Sequence, residues 1–167
     1  PLVTLLENGT AQSHKFAAGA LSRLAASNAD NQAQIAKKLV TLLAPSMSDG
    51  AQRRAAQELW ALARGQEGAT ARVVNAGAIS PLVTLLSSGA PEVKQEAADA
   101  LSTLAFNSPS TQLAIASGLV VLVGTGSAES QEHVTQLLLT LAHDIDNCLA
   151  IAKAGAIPRL ISQLRPS

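Results

Sequence analysis

PLVTLL at residues 81–86, followed by EAADALSTLA at 96–105, is the stretch that decides the fold, because the same pair of phrases recurs along the chain. The leucine-rich hexamer returns as PLVTLL at 1–6, KLVTLL at 38–43, GLVVLV at 118–123 and RLISQL at 159–164. The alanine-rich partner returns as FAAGALSRLA at 16–25, RAAQELWALA at 54–63 and VTQLLLTLA at 134–142. A period of about forty residues marks a solenoid, in which one unit cannot bury its apolar face alone and does so by stacking on its neighbours. Function is then expected on a long shared surface and not in a closed pocket.

The steps between units alternate in length. Leu2 to Leu39 spans 37 residues, Leu39 to Leu82 spans 43, Leu82 to Leu119 spans 37 and Leu119 to Leu160 spans 41. The difference is an Ala-Gly-Ala-Ile insert, present in NAGAISPLV at 75–83 and KAGAIPRLI at 153–161 and absent from IAKKLV at 35–40 and IASGLV at 115–120. Residues 1–43 laid on 81–123 without gaps share 20 identities, which points to duplication of a two-unit block. In the short units the first two helices are expected to merge or to meet at a tighter corner.

In EVKQEAADALSTLA, Val93, Ala97, Ala100, Leu101 and Leu104 fall on one helical stripe. Ser87, Ser88 and Gly89 precede Pro91, a residue tolerated in the first turn of a helix. PLVTLL is apolar nearly all round and belongs inside. ATARVVNAG at 69–77 and DNCLAIAKAG at 146–155 read as short helices that stop at glycine, which adopts the left-handed conformation a sharp corner requires. Each unit is therefore three helices. The alanine-rich third helices are expected over 11–26, 50–64, 91–106 and 128–143.

Opposite the apolar stripe, 100° per residue places Glu92, Gln95, Asp99, Thr103 and Phe106 on one face. Their counterparts are Gln12, Lys15, Gly19, Arg23 and Ala26 in the first unit and Gly50, Arg53, Gln57, Ala61 and Arg64 in the second. In the fourth they are Glu129, Glu132, Gln136, Thr140 and His143. This face runs from basic to acidic: residues 1–83 hold eight Lys or Arg against five Asp or Glu, and residues 84–167 hold four against seven. Trp60, the only tryptophan, stands at the edge of the same face.

NAGAISPLVTLLSSGAPEVKQEAADALSTLAFNS and AKAGAIPRLISQL resemble the armadillo repeats of β-catenin and importin-α, and the resemblance extends over the whole chain. It implies an all-α, right-handed superhelical α-solenoid of about four armadillo repeats. Residues 1–167 would form a single domain: a partial repeat 1–27, repeats at about 28–66, 67–108 and 109–144, and a partial repeat 145–167. The two units without the Ala-Gly-Ala-Ile corner lean toward the neighbouring HEAT pattern. The resemblance further implies a protein-protein interaction module that takes an extended peptide in a concave groove lined by third helices. Residues placed there are Lys15, Arg23, Arg53, Gln57, Trp60, Arg64, Gln95, Asp99, Thr103, Phe106, Gln136 and Thr140. The alternative is a structural scaffold subunit that contacts neighbours by its ends and convex face.

In importin-α, tryptophans one turn before asparagines on successive third helices hold nuclear-localisation peptides. The tryptophan positions here are Gly19, Gln57, Asp99 and Gln136, and the asparagine positions are Arg23, Ala61, Thr103 and Thr140. The ladder is absent, which argues against a nuclear-import receptor. An acidic segment facing Lys15, Arg23, Arg53 and Arg64, continued by a basic one facing Glu92, Asp99, Glu129 and Glu132, suits the charge order.

Composition narrows the partners. Aromatic content of 2% is too low for a stacking platform under nucleic-acid bases, and zero net charge does not favour a polyanion. No apolar run approaches the roughly 18 residues needed to span a bilayer. The single Cys148 excludes an internal disulfide and suggests a reducing, intracellular setting; it is expected to be buried. No cofactor, metal or enzymatic chemistry is indicated. His133 and His143 stand ten residues apart, off one helical face. Asp144, Asp146 and Asn147 lack the glycine and glutamate of a calcium loop, and Gly124 and Gly126 lack the lysine of a phosphate loop. The chain starts and stops within the repeat pattern, so end-to-end self-association is expected, with Leu2 and Leu5 near Ile157, Leu160 or Leu164 of another copy.

Overall fold

A computed structural model describes residues 2–26, 28–65, 68–106, 108–125, 127–143 and 145–163. The described residues form helices and connecting turns, with no strand among them. In chain order the helices are α1 Leu2–Asn8, α2 Ala11–Ala25, α3 Ala29–Thr41, α4 Asp49–Ala63, α5 Ala69–Asn75 and α6 Ile79–Ser88. They continue as α7 Pro91–Ala105, α8 Pro109–Leu122, α9 Ala128–Leu141, α10 Ile145–Lys153 and α11 Ala156–Gln163. The four alanine-rich segments are α2, α4, α7 and α9, within two residues of the expected bounds.

Local chemistry sets the helix starts. Thr10, Ser48 and Ser127 accept a hydrogen bond from the backbone N–H three residues on, as does the Asn28 side chain, and so occupy one of the donors a helix start leaves free. Helices α7 and α8 begin instead with Pro91 and Pro109, which have no N–H to satisfy.

The helices form two layers. In one, α2 packs on α4, α4 on α7 and α7 on α9; in the other, α3 packs on α5, α6 on α8 and α8 on α10. A continuous core lies between them, from Leu6 and Leu39 through Leu59, Leu82, Leu86, Leu101 and Leu104 to Leu119 and Val134. Alanines at 55, 56, 97 and 100 are fully buried, and their small side chains let α4 and α7 approach closely. This is the α-solenoid the repeats call for.

The corners follow the alternation of unit length. Gly77 has φ +85° and Gly155 has φ +84°, each between a first and a second helix, and α5 meets α6 at 73°. In the short units the two helices have merged: α3 runs through Lys37–Leu39 and α8 through Ser117–Leu119 without a break. Gly118 lies inside α8 because a Cβ there would stand 3.3 Å from a Val83 methyl on α6.

The polar groups in the interior are matched to helix ends. Gln32 donates to the carbonyl of Ala25 at 2.8 Å, Thr70 to that of Ala63 at 3.2 Å, Gln112 to that of Ala105 at 2.8 Å and Asn147 to that of Leu141 at 3.0 Å. Each helix that follows an alanine-rich one thus satisfies a carbonyl orphaned at its C-terminus. Two of these amides also join neighbouring units: Gln32 accepts from Arg72 and Gln112 accepts from Asn147.

Of the residues expected at the ends, Leu2 and Leu160 pack partly against the core, Leu5 and Ile157 are exposed, and Pro1 and Leu164 lie outside the described residues. Cys148 is only partly buried, contrary to expectation, because it lies beside and not within the buried Asn147–Ile151 stripe of α10; its thiol donates to the Ala142 carbonyl at 2.9 Å.

Two glycines test this account. Gly77→Ala should destabilise the fold by about 1–2 kcal/mol, the cost of a left-handed side-chain-bearing residue. Gly19→Ala, in mid-helix with open space around its Cβ, should stabilise it by roughly 0.5–1 kcal/mol. Urea unfolding of both variants checks the pair of signs.

Candidate peptide-binding face

The exposed side of α2, α4, α7 and α9 carries the residues expected to face a ligand. Lys15, Arg23, Arg53 and Arg64 are exposed, and Lys15, Arg23 and Arg53 make no ion pair among the described residues. Arg64 lies over the Trp60 ring, its guanidinium carbon 4.6 Å from the ring centroid. Trp60 itself is half-buried and packs on the core, so it both covers a helix junction and offers an edge. Gln95 and Asp99 are exposed and joined by a 3.0 Å hydrogen bond from the amide to the carboxylate.

Other members are already engaged. Gln57 donates to the Glu96 carboxylate across the α4–α7 junction. The Thr140 hydroxyl turns back to the Gln136 carbonyl at 3.0 Å, although both residues are exposed. Thr103 is half-buried, and Phe106 stands 74% exposed at the end of α7.

One carboxylate of the acidic half is paired inside that half. Glu129 pairs with Lys94, Nζ to Oε2 at 3.4 Å, and Lys94 also donates to Ser127 Oγ at 3.0 Å. Lys94 is buried, at the first turn of α7, where Gln52 in α4 and Gln131 in α9 occupy the matching position and bond the Ala44 and Leu122 carbonyls. Arg54 is likewise turned inward, donating to the Leu6 carbonyl at 2.6 Å. Sequence alone counts these cations with the surface, because nothing in the composition says which end of a long side chain is committed.

Concavities mark the junctions. One of about 270 Å³ is lined by Gln57, Glu58, Trp60, Ala61, Glu96 and Asp99. Another, of about 420 Å³, is lined by Ala63, Arg64, Thr70, Ser102, Thr103 and Phe106. Six of the twelve expected residues (Gln57, Trp60, Arg64, Asp99, Thr103 and Phe106) therefore gather along the α4–α7 junction. Of the others, Gln95 is tied to Asp99 and Thr140 to Gln136, while Lys15, Arg23 and Arg53 line neither concavity.

Two residues escaped the sequence reading. Leu139 is 67% exposed at the position Trp60 holds in α4, and the alignment of the two positions was the available signal. Glu58 is half-buried, and burial pushes its carboxyl above the ordinary glutamate range. Among the described residues no group of three metal-ligating side chains occurs, and no single helix is long and apolar enough to cross a membrane.

Comparison with known proteins places this geometry. A family model described as Armadillo/beta-catenin-like repeat matches residues 67–106. A designed armadillo repeat protein in complex with the peptide (KR)4 is 26% identical, with TM-score 0.66, over 100% of this chain and 74% of that one. Computationally designed armadillo repeat proteins for modular peptide recognition give 26% identity and TM-score 0.65 over 97% and 72%. An engineered protein is 30% identical, with TM-score 0.66, over 99% and 71%. No curated protein matches the chain in sequence.

Glu58 yields a prediction with a definite sign. A carboxyl whose folded pKa is raised binds more protons folded than unfolded, so stability falls as pH rises from the unfolded value, about 4.3, through the folded one. Glu58→Ala should remove that part of the pH dependence and raise stability at pH 7 by a fraction of ~1 kcal/mol, because the half-buried carboxylate keeps part of its hydration. Urea midpoints of both proteins between pH 4 and pH 8 read the difference.

Proposed function

The chain belongs to the armadillo repeat family, and from that premise we propose that the exposed face of α2, α4, α7 and α9 binds an extended segment of a partner protein. The observation that carries this reading is the row of exposed cations, Lys15, Arg23, Arg53 and Arg64, running up to the concavities beside Trp60 and Phe106. A designed relative holding the peptide (KR)4 supports a peptide as the class of ligand. Its charge does not transfer. The exposed charges on this side of α2 and α4, Lys15, Arg23, Arg53 and Arg64, are cationic, so the segment over those two helices is acidic.

Further along, Glu92, Asp99 and Glu132 are exposed and favour basic residues in the continuation of the same segment. With the Trp and Asn positions filled by other residues, affinity comes from charge at the basic end and from apolar contact at Trp60, Phe106 and Leu139. Charge sets approach and register, and the apolar anchors set residence time.

The scaffold reading rests on a different surface. Val121, Ile145 and Leu149, in the outer layer formed by α8 and α10, are 63%, 72% and 53% exposed, which suits contact with a neighbouring subunit. Serine at these three positions distinguishes the two readings, since it would abolish subunit contact and leave peptide binding intact.

For the peptide reading, fluorescence polarisation with an acidic peptide selected from a random library supplies the test. The double variant Arg23→Glu, Arg53→Glu should weaken binding at least tenfold, about 1.4 kcal/mol, and flatten its salt dependence. Unchanged affinity in the double reversal overturns the reading.

A further inference from the structure

The tenth residue of α7, Ala100, and of α9, Leu137, is buried in the core, and its counterpart in α2, Ala20, is partly buried. In α4 that position is Glu58. Its carboxylate accepts no hydrogen bond and meets no cation among the described residues. Arg54, one turn earlier, is committed to the Leu6 carbonyl, and Arg64 is stacked on Trp60.

Glu58 lines a half-enclosed cavity of about 170 Å³ between α2, α3 and α4, whose walls are Leu21, Ile35, Leu39 and Leu62. Ala26 and Ala61, both exposed on the ligand-facing side, stand at its edge and leave it open to that side. The volume is below the roughly 300 Å³ at which small-molecule sites begin and suits a single side chain. The slot is mainly apolar, its Gln32 amide already bonded to the Ala25 carbonyl and to Arg72, and its one unpaired carboxylate asks for an occupant with an aliphatic stem and a cationic tip.

We propose that this cavity is the subsite for one lysine of the bound segment, with its methylenes against Leu21, Ile35, Leu39 and Leu62 and its ammonium on the Glu58 carboxylate. The source of that lysine rests on the peptide-binding reading above. The exposed arginines nearby do not oppose it decisively: their charges are screened over about 8 Å at physiological salt, while attraction to a half-buried carboxylate is much less so. Because the matching positions elsewhere are Ala20, Ala100 and Leu137, the subsite occurs once in the array. A single anchor of this kind fixes the register of a segment that could otherwise slide by one repeat.

The test uses the whole chain with labelled Ile and Leu methyls, titrated at pH 7 with Nα-acetyl-lysine N-methylamide or its norleucine counterpart, which has a similar stem and no ammonium. The lysine derivative should give saturable shifts at Ile35, Leu39 and Leu62. Glu58→Gln in the protein, or norleucine in the probe, should weaken binding at least tenfold. Glu58→Ala, which copies Ala100, confirms by circular dichroism that the position does not decide folding. Equal binding of the two probes, equal binding by the wild type and Glu58→Gln, or no saturable shift overturns the proposal. The readings fail separately: lysine binding without any peptide binding removes the groove reading alone, and peptide binding without lysine binding removes this one.

Discussion

The array depends on what happens to the last carbonyls of its alanine-rich helices. Each of these helices ends against the next unit, where water cannot reach every carbonyl, and a buried acceptor left unpaired costs about 1–3 kcal/mol. Gln32, Thr70, Gln112 and Asn147 supply the donors, each from the helix that follows. Because the donor belongs to the next segment of chain, the bond forms only when that segment has docked. Stacking is thereby coupled to helix termination. The further bonds Arg72 to Gln32 and Asn147 to Gln112 extend the coupling by one more unit.

The outer layer solves a different problem. A unit with a glycine corner turns sharply between its first two helices, as at Gly77, while a unit without one runs a single longer helix, as in α3 and α8. Both solutions deliver the following alanine-rich helix to the same layer. The spacing that varies between 37 and 43 residues is therefore absorbed at the corner and leaves the alanine-rich layer regular. Two constructions of the outer layer support one row of inner helices.

That regularity explains how much of the molecule can be read from sequence. Hexamers with leucine and helices with alanine at 3.6-residue spacing report burial directly, so the inner helices and both glycine corners are legible, and Lys37–Leu39 is recognisable as a place where the corner is missing. The commitments of long polar side chains are not legible. Lys94, Arg54 and Gln57 have the composition of surface residues, yet they reach Ser127, the Leu6 carbonyl and Glu96 on other elements. Periodicity gives the direction of a Cβ and not the destination of a four-carbon chain. Glu58 shows the converse: its place in the apolar stripe is readable, but the slot it lines is made by α2 and α3, which no local pattern brings together.

The charge of the face follows from the same distinction. Formal counts divide the chain into halves of +3 and −3, but the internal bonds draw unequally on the two. The basic half gives Arg54 to a helix end and keeps Lys15, Arg23 and Arg53 free of ion pairs; the acidic half gives Glu129 to Lys94 and Glu96 to Gln57. Of these bonds only the Lys94–Glu129 pair cancels charge, one of each sign, because the partners of Glu96 and Arg54 are neutral. The balance therefore stays at zero, with its positive part over α2 and α4 and its negative part over α7 and α9. In the peptide-binding proposal this order sets an acidic stretch over α2 and α4 and a basic one over α7 and α9.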